Sequence, residues 1–303
     1  MKPVFRPSVL ISGDHLGKGI LYSLLGGVCW GFSGNCAEFL FADYHVDPRW
    51  IVCVRLLGAA VFFMAFAILR ERENLKRALS SANGMAHIAG FSIFGVTACQ
   101  YCYLQAIQAS DAGTATVLQS LELVIILAVT CIRTKRLPNH KESIGVALAV
   151  VGTFLIATHG SFTSLAISPD GLFWGLLCAC TAALYTMLPA KLLHEYGSMT
   201  TIGLAMVIGG IVSMPLFRPW EMPVSLDAAG IAALISVVVV GTFLAYLLFL
   251  TGVKYVGSML AGLLACSEPI TACILSVVWM GTTFMPVDLV GIAMIIFMMF
   301  FVS

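Results

Sequence analysis

The feature that most constrains this chain is a long stretch of sequence that occurs twice. Residues 95–122 align without a gap with residues 241–268, at a constant offset of 146 (241 − 95). Each copy consists of two apolar runs joined by a short polar break, and each ends in a glutamate, Glu122 or Glu268, with apolar sequence on both sides. A carboxylate inside a membrane span is costly and by default marks a functional site. The repeat therefore predicts a duplicated membrane protein whose halves each supply a polar group to a shared interior.

The low charge content indicates that the solvent of this chain is lipid. Hydrophobic residues make up 60% and charged residues 10% of the sequence, and the mean hydropathy is +0.99, whereas soluble domains carry about 25% charged residues. No basic stretch is interleaved with aromatic residues, so a nucleic-acid partner is not expected. The ten cysteines lie in or beside apolar runs, which is typical of small packing residues. Cys99 and Cys102 form a C-x-x-C, but no second pair completes a metal site, and no cofactor is predicted.

Apolar runs long enough to cross the hydrocarbon as helices, about 20 residues each, occur ten times. Turn residues such as Pro48, Pro138 and Pro169 mark the breaks between them. The predicted spans are residues 18–40, 49–69, 86–107, 112–132, 142–159, 171–191, 199–217, 229–251, 257–280 and 286–302.

Basic residues concentrate in the loops that lie on the same side of the membrane as the amino terminus. Apart from Arg55, which lies within a span, Arg49 and Arg218 are the exceptions. The positive-inside rule therefore predicts that both termini are cytoplasmic, including a polar tail over residues 1–17. The remainder divides into two repeats, 18–160 and 171–303, of five spans each. Because five is odd, the second repeat enters the bilayer inverted, and inverted repeats are an architecture of transporters that bind substrate near the midplane.

Several short motifs resemble those of the EamA-type transporters of the drug/metabolite transporter superfamily. They are Cys29-Trp-Gly-Phe-Ser-Gly34 in the first span, Arg55 in the second, Ala182-Ala-Leu-Tyr-Thr186 in the sixth, and the segments that end in Glu122 and in Glu268-Pro269. The resemblance covers residues 18–302. It implies an all-α membrane protein of ten helices in two inverted five-helix repeats, with a central cavity lined by helices 1, 3, 4, 6, 8 and 9. It also implies secondary transport of small metabolites, often export.

The chain departs from the family pattern at two places. Leu123 stands where family members commonly have a proline after the fourth-span motif, and residues 133–136 replace a common Gly-Glu pair. These differences bear on whether the two halves of the transporter move symmetrically during transport.

Glu122 and Glu268 are the leading candidates for substrate-binding residues. Small residues share their helix faces, including Ala115 and Ala261. Each carboxylate could bind a cationic or hydrogen-bonding group of the substrate or exchange a proton with it. Alternatively, each could be structural and tie helices together through hydrogen bonds.

Three further residues are predicted to be structural. Arg55 is the arginine well inside a span, and Glu38, near the end of the first span, is its expected ion-pair partner; binding of a substrate carboxylate is the alternative. Pro269 cannot donate a helical hydrogen bond, so we expect a free carbonyl at Ala265 or a bend. Gly27 and Gly31, four residues apart, favour close helix packing, as do Gly145-x-x-x-Ala149 and Gly257-x-x-x-Ala261.

Aromatic and amide side chains within the spans could line the cavity and hydrogen-bond a solute, or else join helices. The main candidates of this kind are Trp30, Gln100, Gln119, Tyr101, Tyr185 and Tyr246, with Asn35 and Tyr103 as further members of the set. Trp50, Trp220 and Trp279 lie near span ends, which is typical of interfacial anchors.

The sequence as a whole predicts a multi-pass inner-membrane secondary carrier and not an enzyme. It would move a small metabolite such as an amino acid or amine, by export, through alternating access. No nucleotide-binding motif is present, and the glutamates permit proton coupling without showing it. The alternatives are an intramembrane lipid-modifying enzyme, which would need catalytic groups clustered at one depth, and a non-transporting sensor. Substrate identity and oligomeric state stay open.

Overall fold

The computed structural model describes residues 13–162 and 164–302, and all regular secondary structure in them is helical. Residues 1–12 of the predicted tail lie outside the described residues. The α-helices are α1 (Gly13–Tyr44), α2 (Pro48–Arg70), α3 (Arg72–Ser80), α4 (Ala82–Gly90), α5 (Ala98–Ala109), α6 (Ala112–Gln119), α7 (Glu122–Thr134), α8 (His140–Thr158), α9 (Pro169–Met187), α10 (Ala190–Tyr196), α11 (Ser198–Phe217), α12 (Ala228–Ile235), α13 (Ala245–Leu264), α14 (Ser267–Val278) and α15 (Pro286–Val302).

Within the described residues, seven helices have the length and apolar composition needed to cross a membrane. They are Pro48–Arg70, Ala112–Thr134, His140–Thr158, Pro169–Tyr196, Ser198–Phe217, Ala228–Gly257 and Leu260–Val278. Pro286–Val302 is apolar but shorter. The all-α prediction is confirmed, whereas the count of ten spans stays a prediction.

Local sequence signals explain where several helices begin and end. The side chains of Asp47, Ser168 and Asp227 accept backbone N–H groups from the first turns of α2, α9 and α12, which satisfies donors that a helix cannot pair internally. Pro48 and Pro169 occupy the first helical positions, where the absence of an N–H costs nothing.

The helices pair in a pattern that repeats between the two halves. In one set of contacts, α1 packs on α13 and α14; in the other, α9 packs on α5, α6 and α7. The halves are also joined by the contact of α2 with α11 and by that of α8 with α15. Such a pattern is what an approximate two-fold relation between the halves produces.

Backbone irregularities also repeat in register. A π-helical stretch, Phe91–Thr97, joins α4 to α5, and a second, Ser236–Leu244, joins α12 to α13. The offset of 146 carries the first stretch onto residues 237–243, inside the second. Isolated π-helical turns are uncommon and frequent at functional sites, so their recurrence at one register supports the duplication independently of side chains.

Two of the predicted close-packing motifs are present and one is not. A Cβ at Gly31 would lie 2.6 Å from the carbonyl oxygen of Glu268, and one at Gly145 would overlap Val302. Gly257 instead has φ +81, and a Cβ added there would meet no atom within 4 Å. The prediction that Gly257 packs against another helix is wrong, because this glycine adopts a left-handed conformation that interrupts α13.

Candidate functional site

The two glutamates each follow a break in their helix. Between α6 and α7, the N–H of Leu121 bonds to the oxygen of Leu118, three residues back, and between α13 and α14 the N–H of Cys266 bonds likewise to the oxygen of Leu263. In both places the hydrogen bonds tighten from the four-residue spacing of an α-helix to a three-residue spacing. The two positions, 121 and 266, are equivalent under the offset of 146 to within one residue. The breaks place Glu122 and Glu268 at the starts of α7 and α14.

The two carboxylates share one interior region of the bundle. Glu268 interacts electrostatically with both Glu122 and Arg55, although each glutamate comes from a different repeat. Both side chains are partly exposed, while Ala115 and Ala261 on the same helix faces are fully buried. Thr186 of α9 donates a long hydrogen bond of 3.5 Å to Glu122 Oε2.

The break beside Glu268 is held by α1. Gly27 and Gly31 pack against the backbone of α14, where a Cβ at Gly27 would meet the hydroxyl of Ser267 and the nitrogen of Glu268. The carbonyl of Ala265, expected to be free beside Pro269, accepts the N–H of Glu268 at 2.9 Å. The helix is interrupted beside Pro269, between Leu264 and Ser267, but the carbonyl of Ala265 is not free.

Arg55 does not pair with Glu38 as the sequence predicts. Its Nε donates to Thr242 Oγ1 at 2.9 Å and its Nη2 to the carbonyl of Gly241 at 3.3 Å. Both acceptors lie on the π-helical stretch Ser236–Leu244, whose wide turn exposes a carbonyl. The residue is 5% exposed. Sequence reasoning missed these partners because neither acceptor is charged and both lie in the other repeat.

Three of the predicted aromatic residues form one cluster. The ring of Tyr246 lies 5.3 Å from Trp30 and 6.3 Å from Tyr185, in edge-on arrangements that aromatic pairs prefer. These residues come from α13, α1 and α9, and Tyr246 also interacts electrostatically with Arg55 and both glutamates. The cluster therefore adjoins the acidic pair.

The other predicted site residues divide between the interior and the periphery. Gln119 lies one turn before Glu122, and its Oε1 accepts a weak hydrogen bond from the thiol of Cys178 at 3.7 Å. Gln100 is partly exposed on α5. Tyr101 packs against Trp174 and Phe217, so the structure does not bring it to the acidic pair.

A polar network that the sequence did not reveal holds the start of α6. Glu38 Oε2 accepts the N–H of Ala112 at 2.9 Å, and Ser276 Oγ accepts the N–H of Gly113 at 3.1 Å. Ser276 is in turn 3.2 Å from Asn35 Oδ1. The sequence places Asn35 among the candidate cavity-lining side chains, but it is fully buried between α1 and α14.

Packing differs between the two ends of the bundle. Every residue from Ala112 to Leu118 in α6 is buried, whereas in α7 only Leu127 and Cys131 are. A Cβ at Gly262, near the start of the ninth predicted span, would find open space. We call the closely packed side the Ala112 end and the looser side the Thr134 end, after the first residue of α6 and the last of α7.

The model of the EamA-like transporter family matches the chain twice, over residues 17–158 and 170–303. The chain belongs to the EamA-like transporter family. The two matches show the duplication directly, and the fold fits the drug/metabolite transporter superfamily.

Curated relatives span nearly the whole chain. The uncharacterized inner membrane transporter YicL of Salmonella typhimurium is 32% identical over 279 residues, covering 92% of this chain and 93% of its own. The uncharacterized transporter YwfM of Bacillus subtilis is 24% identical and covers 91% and 92%. A solved crystal structure with 13% identity superposes with a TM-score of 0.64 over 94% of this chain and 96% of its own, which shows the fold alone. This EamA-family protein is therefore a multi-pass membrane transporter of the plasma membrane.

Proposed function

We propose that this protein is a secondary transporter that exports a small metabolite by alternating access, and that it has no enzymatic activity. The observation that carries the proposal is the acidic pair, since repeat-equivalent glutamates from both halves lie within electrostatic reach of each other beside broken helices. Broken helices near the midplane supply unpaired backbone groups and carboxylates to substrates and coupling ions in transporters.

The proposed architecture has ten spans in two inverted repeats, residues 18–160 and 171–303, with both termini cytoplasmic. The duplicated family match and the repeated contacts of α1 and α9 support two equivalent halves. The distribution of basic residues supports the orientation.

The proposed substrate site contains Glu122, Glu268 and the aromatic cluster of Trp30, Tyr185 and Tyr246. Two carboxylates near a single guanidinium, that of Arg55, and beside aromatic faces favour a solute that carries a cationic or hydrogen-bond-donating group. Gln100 and Gln119 remain candidate contacts, whereas Tyr101 packs against Trp174 and Phe217, away from the acidic pair. Because the sequence contains no nucleotide-binding motif, a solute or proton gradient would supply the driving force.

The test is a flux screen in proteoliposomes with radiolabelled amino acids, amines and nucleosides, with and without a pH gradient. We expect accumulation of at least one class, with the labelled solute recovered chemically unchanged. Recovery of a converted product or of modified lipid would instead favour the enzyme. No flux with any class, in protein that stays folded, would count against transport.

Charge-neutral variants then test whether the charges of the acidic pair are needed for transport. Glu122→Gln and Glu268→Gln should each lower flux by about tenfold or more, as expected for loss of a buried charged contact, and should flatten its pH dependence. Glu195→Gln, at an exposed position on α10, is the matched control and should leave both unchanged. Full transport with unaltered pH dependence in Glu268→Gln would reject the charge role of that residue.

A further inference from the structure

The first turn of α6 is held by other helices to an unusual degree. The first three N–H groups of a helix have no partner within it. Here they are accepted by Glu38 of α1, Ser276 of α14 and the cap residue Asp111, for Ala112, Gly113 and Thr114 respectively. Two of these three bonds therefore tie α6 to neighbouring helices.

The surroundings of this contact contain few groups that could replace a lost bond. Ser276 and Asn35 are fully buried. The single hydroxyl proton of Ser276 can donate either to Asn35 at 3.2 Å or to Glu38 at 3.4 Å. The carboxylate of Glu38 thus has the N–H of Ala112 as its one constant donor in the described part of the chain.

Among the described residues of the Thr134 end, no equivalent contact is found. Under the offset of 146, Asp111 corresponds to Gly257 and Ser276 to Thr130. Gly257 has no capping side chain, and Thr130 bonds to the carbonyl of Ile126 in its own helix. Two further ties between segments, the hydroxyl of Tyr44 donating to Asp227 and that of Ser168 donating to the carbonyl of Ala109, also lie at the Ala112 end.

We propose that Glu38 is a proton-controlled latch that keeps the Ala112 end closed while its carboxylate is ionised. An ionised carboxylate at a helix amino terminus gains from the helix dipole and makes a charge-assisted bond about twice as strong as a neutral one. Protonation removes the charge and weakens the bond to Ala112. The first turn of α6 then separates from α1 and α14, and the interior opens on that side. This inference rests on the proposed alternating access and assigns its control to a residue outside the acidic pair.

Few other titratable groups surround this contact. Asp111 acts on Glu38 electrostatically from the start of α6. Tyr103 of α5 pairs with Thr116 of α6, and Cys273 of α14 packs on Gly113. Asp288 of α15 acts on Asp111 and is paired with His159.

The test is a distance measurement between spin labels at Ala42 and Gln108, which are exposed on α1 and α5 beside the latch. Keto amino acids should carry the labels, because the ten native cysteines interfere with thiol labelling. On going from about pH 8 to about pH 5, a range that brackets a carboxylate in a protein interior, we expect the population with the longer distance to grow about threefold or more. An unchanged distribution in the wild-type protein would overturn the latch.

Variants test whether Glu38, and not another acidic residue, is responsible for the response to pH. Glu38→Gln mimics the protonated state and should show the longer distance at both pH values. Ser276→Ala should favour the longer distance at about pH 8 and still respond to acid. Asp170→Asn, an exposed acid at the same end, should behave as wild type. A pH response that persists in Glu38→Gln would also reject the proposal.

A second label pair, at Leu16 and Arg133 on the Thr134 end, tests alternating access itself. This distance should shorten when the first one lengthens. If the Ala112 end opens with acid while this pair does not move, the latch stands and alternating access fails. If flux is observed but the first pair ignores pH, transport stands and the latch fails. Neither of the two distance measurements requires the substrate to be known.

Discussion

At the scale of single residues, Arg55 shows how a buried charge depends on the second repeat. It is surrounded by Thr242, Gly241 and the tyrosines Tyr103 and Tyr246, and it interacts with Glu268. The sequence indicates that such an arginine must have partners, because an unsatisfied guanidinium in the interior is prohibitively costly. It does not indicate which ones, since hydroxyl and carbonyl acceptors are too common to single out.

Replacing Arg55 with methionine should destabilise the protein. Thr242 and the carbonyl of Gly241 would lose their donor in a buried site, so we expect a loss of about 2–4 kcal/mol. Thermal unfolding in detergent measures it. Combining Arg55→Met with Thr242→Val should cost less than the sum of the single changes. Arg133→Gln, at an exposed position, is the control, and an equal loss there would contradict the assignment.

The close approach of α1 to the break at Glu268 makes a second prediction. In Gly31→Ala the added Cβ would lie 2.6 Å from the oxygen of Glu268 and 2.9 Å from the nitrogen of Ala272, both backbone atoms. Backbone cannot move aside as a side chain can, so we expect a loss of about 1–3 kcal/mol and reduced transport. Gly90→Ala, with no atom within 4 Å, should be neutral or stabilise by about 0.4–1 kcal/mol. Equal tolerance of both changes would contradict the packing.

At the scale of helices, the two mid-helix breaks differ in sequence and agree in geometry. Pro269 accompanies the second break, and Leu123 stands at the equivalent place after the first. Both breaks nevertheless tighten to the same hydrogen-bond spacing. Packing of the surrounding helices is therefore sufficient to produce the break, and a proline is not required for it.

Pro269→Ala should accordingly have little effect. Restoring an N–H at this position adds a donor near an already formed turn, and we expect a stability change below about 1 kcal/mol, compared with about 3 kcal/mol for a proline that determines helix geometry. Transport should be retained. A loss of flux comparable to that of Glu268→Gln would show that the proline itself shapes the site.

The cap of α12 at the Ala112 end should make the stability of the protein sensitive to acid. The hydroxyl of Tyr44 and the N–H of Gly230 lower the pKa of Asp227 below its usual value. Because the folded pKa is the lower one, this contribution to stability is complete above the unfolded value of about 3.9 and is lost as pH falls through the folded value. The unfolding temperature of Asp227→Asn should therefore fall less steeply below about pH 4 than that of wild type. Asp43→Asn, one residue from Tyr44 and exposed, should retain the wild-type slope.

At the scale of the whole molecule, the duplication organises everything else. The family matches both halves, and the halves contribute α1 with α14 and α9 with α7 to equivalent contacts around the acidic pair. Departures from this symmetry include Arg55 and the contact of Glu38 with α6 in the first half, and Gly257 and Pro269 in the second.

The inverted arrangement predicts where the chain ends lie. Reporter fusions at Met1 and Ser303 should both report the cytoplasm, because ten spans return the chain to the side on which it started and basic residues mark that side. A fusion in the loop between α8 and α9 should report the opposite side. Termini on opposite sides of the membrane would exclude an even number of spans and with it the proposed inversion.

The sequence by itself determined the solvent, the helical class and the duplication, because composition, hydrophobic run length and a constant offset are properties that can be counted along the chain. It also indicated Glu122 and Glu268, since a carboxylate in an apolar run is conspicuous. Only the tertiary structure decided the partners of Arg55, the break beside Leu123 and the bond from Ala112 to Glu38. Each of these joins or depends on segments far apart in sequence, and such contacts follow from how the helices pack together, which no local pattern encodes.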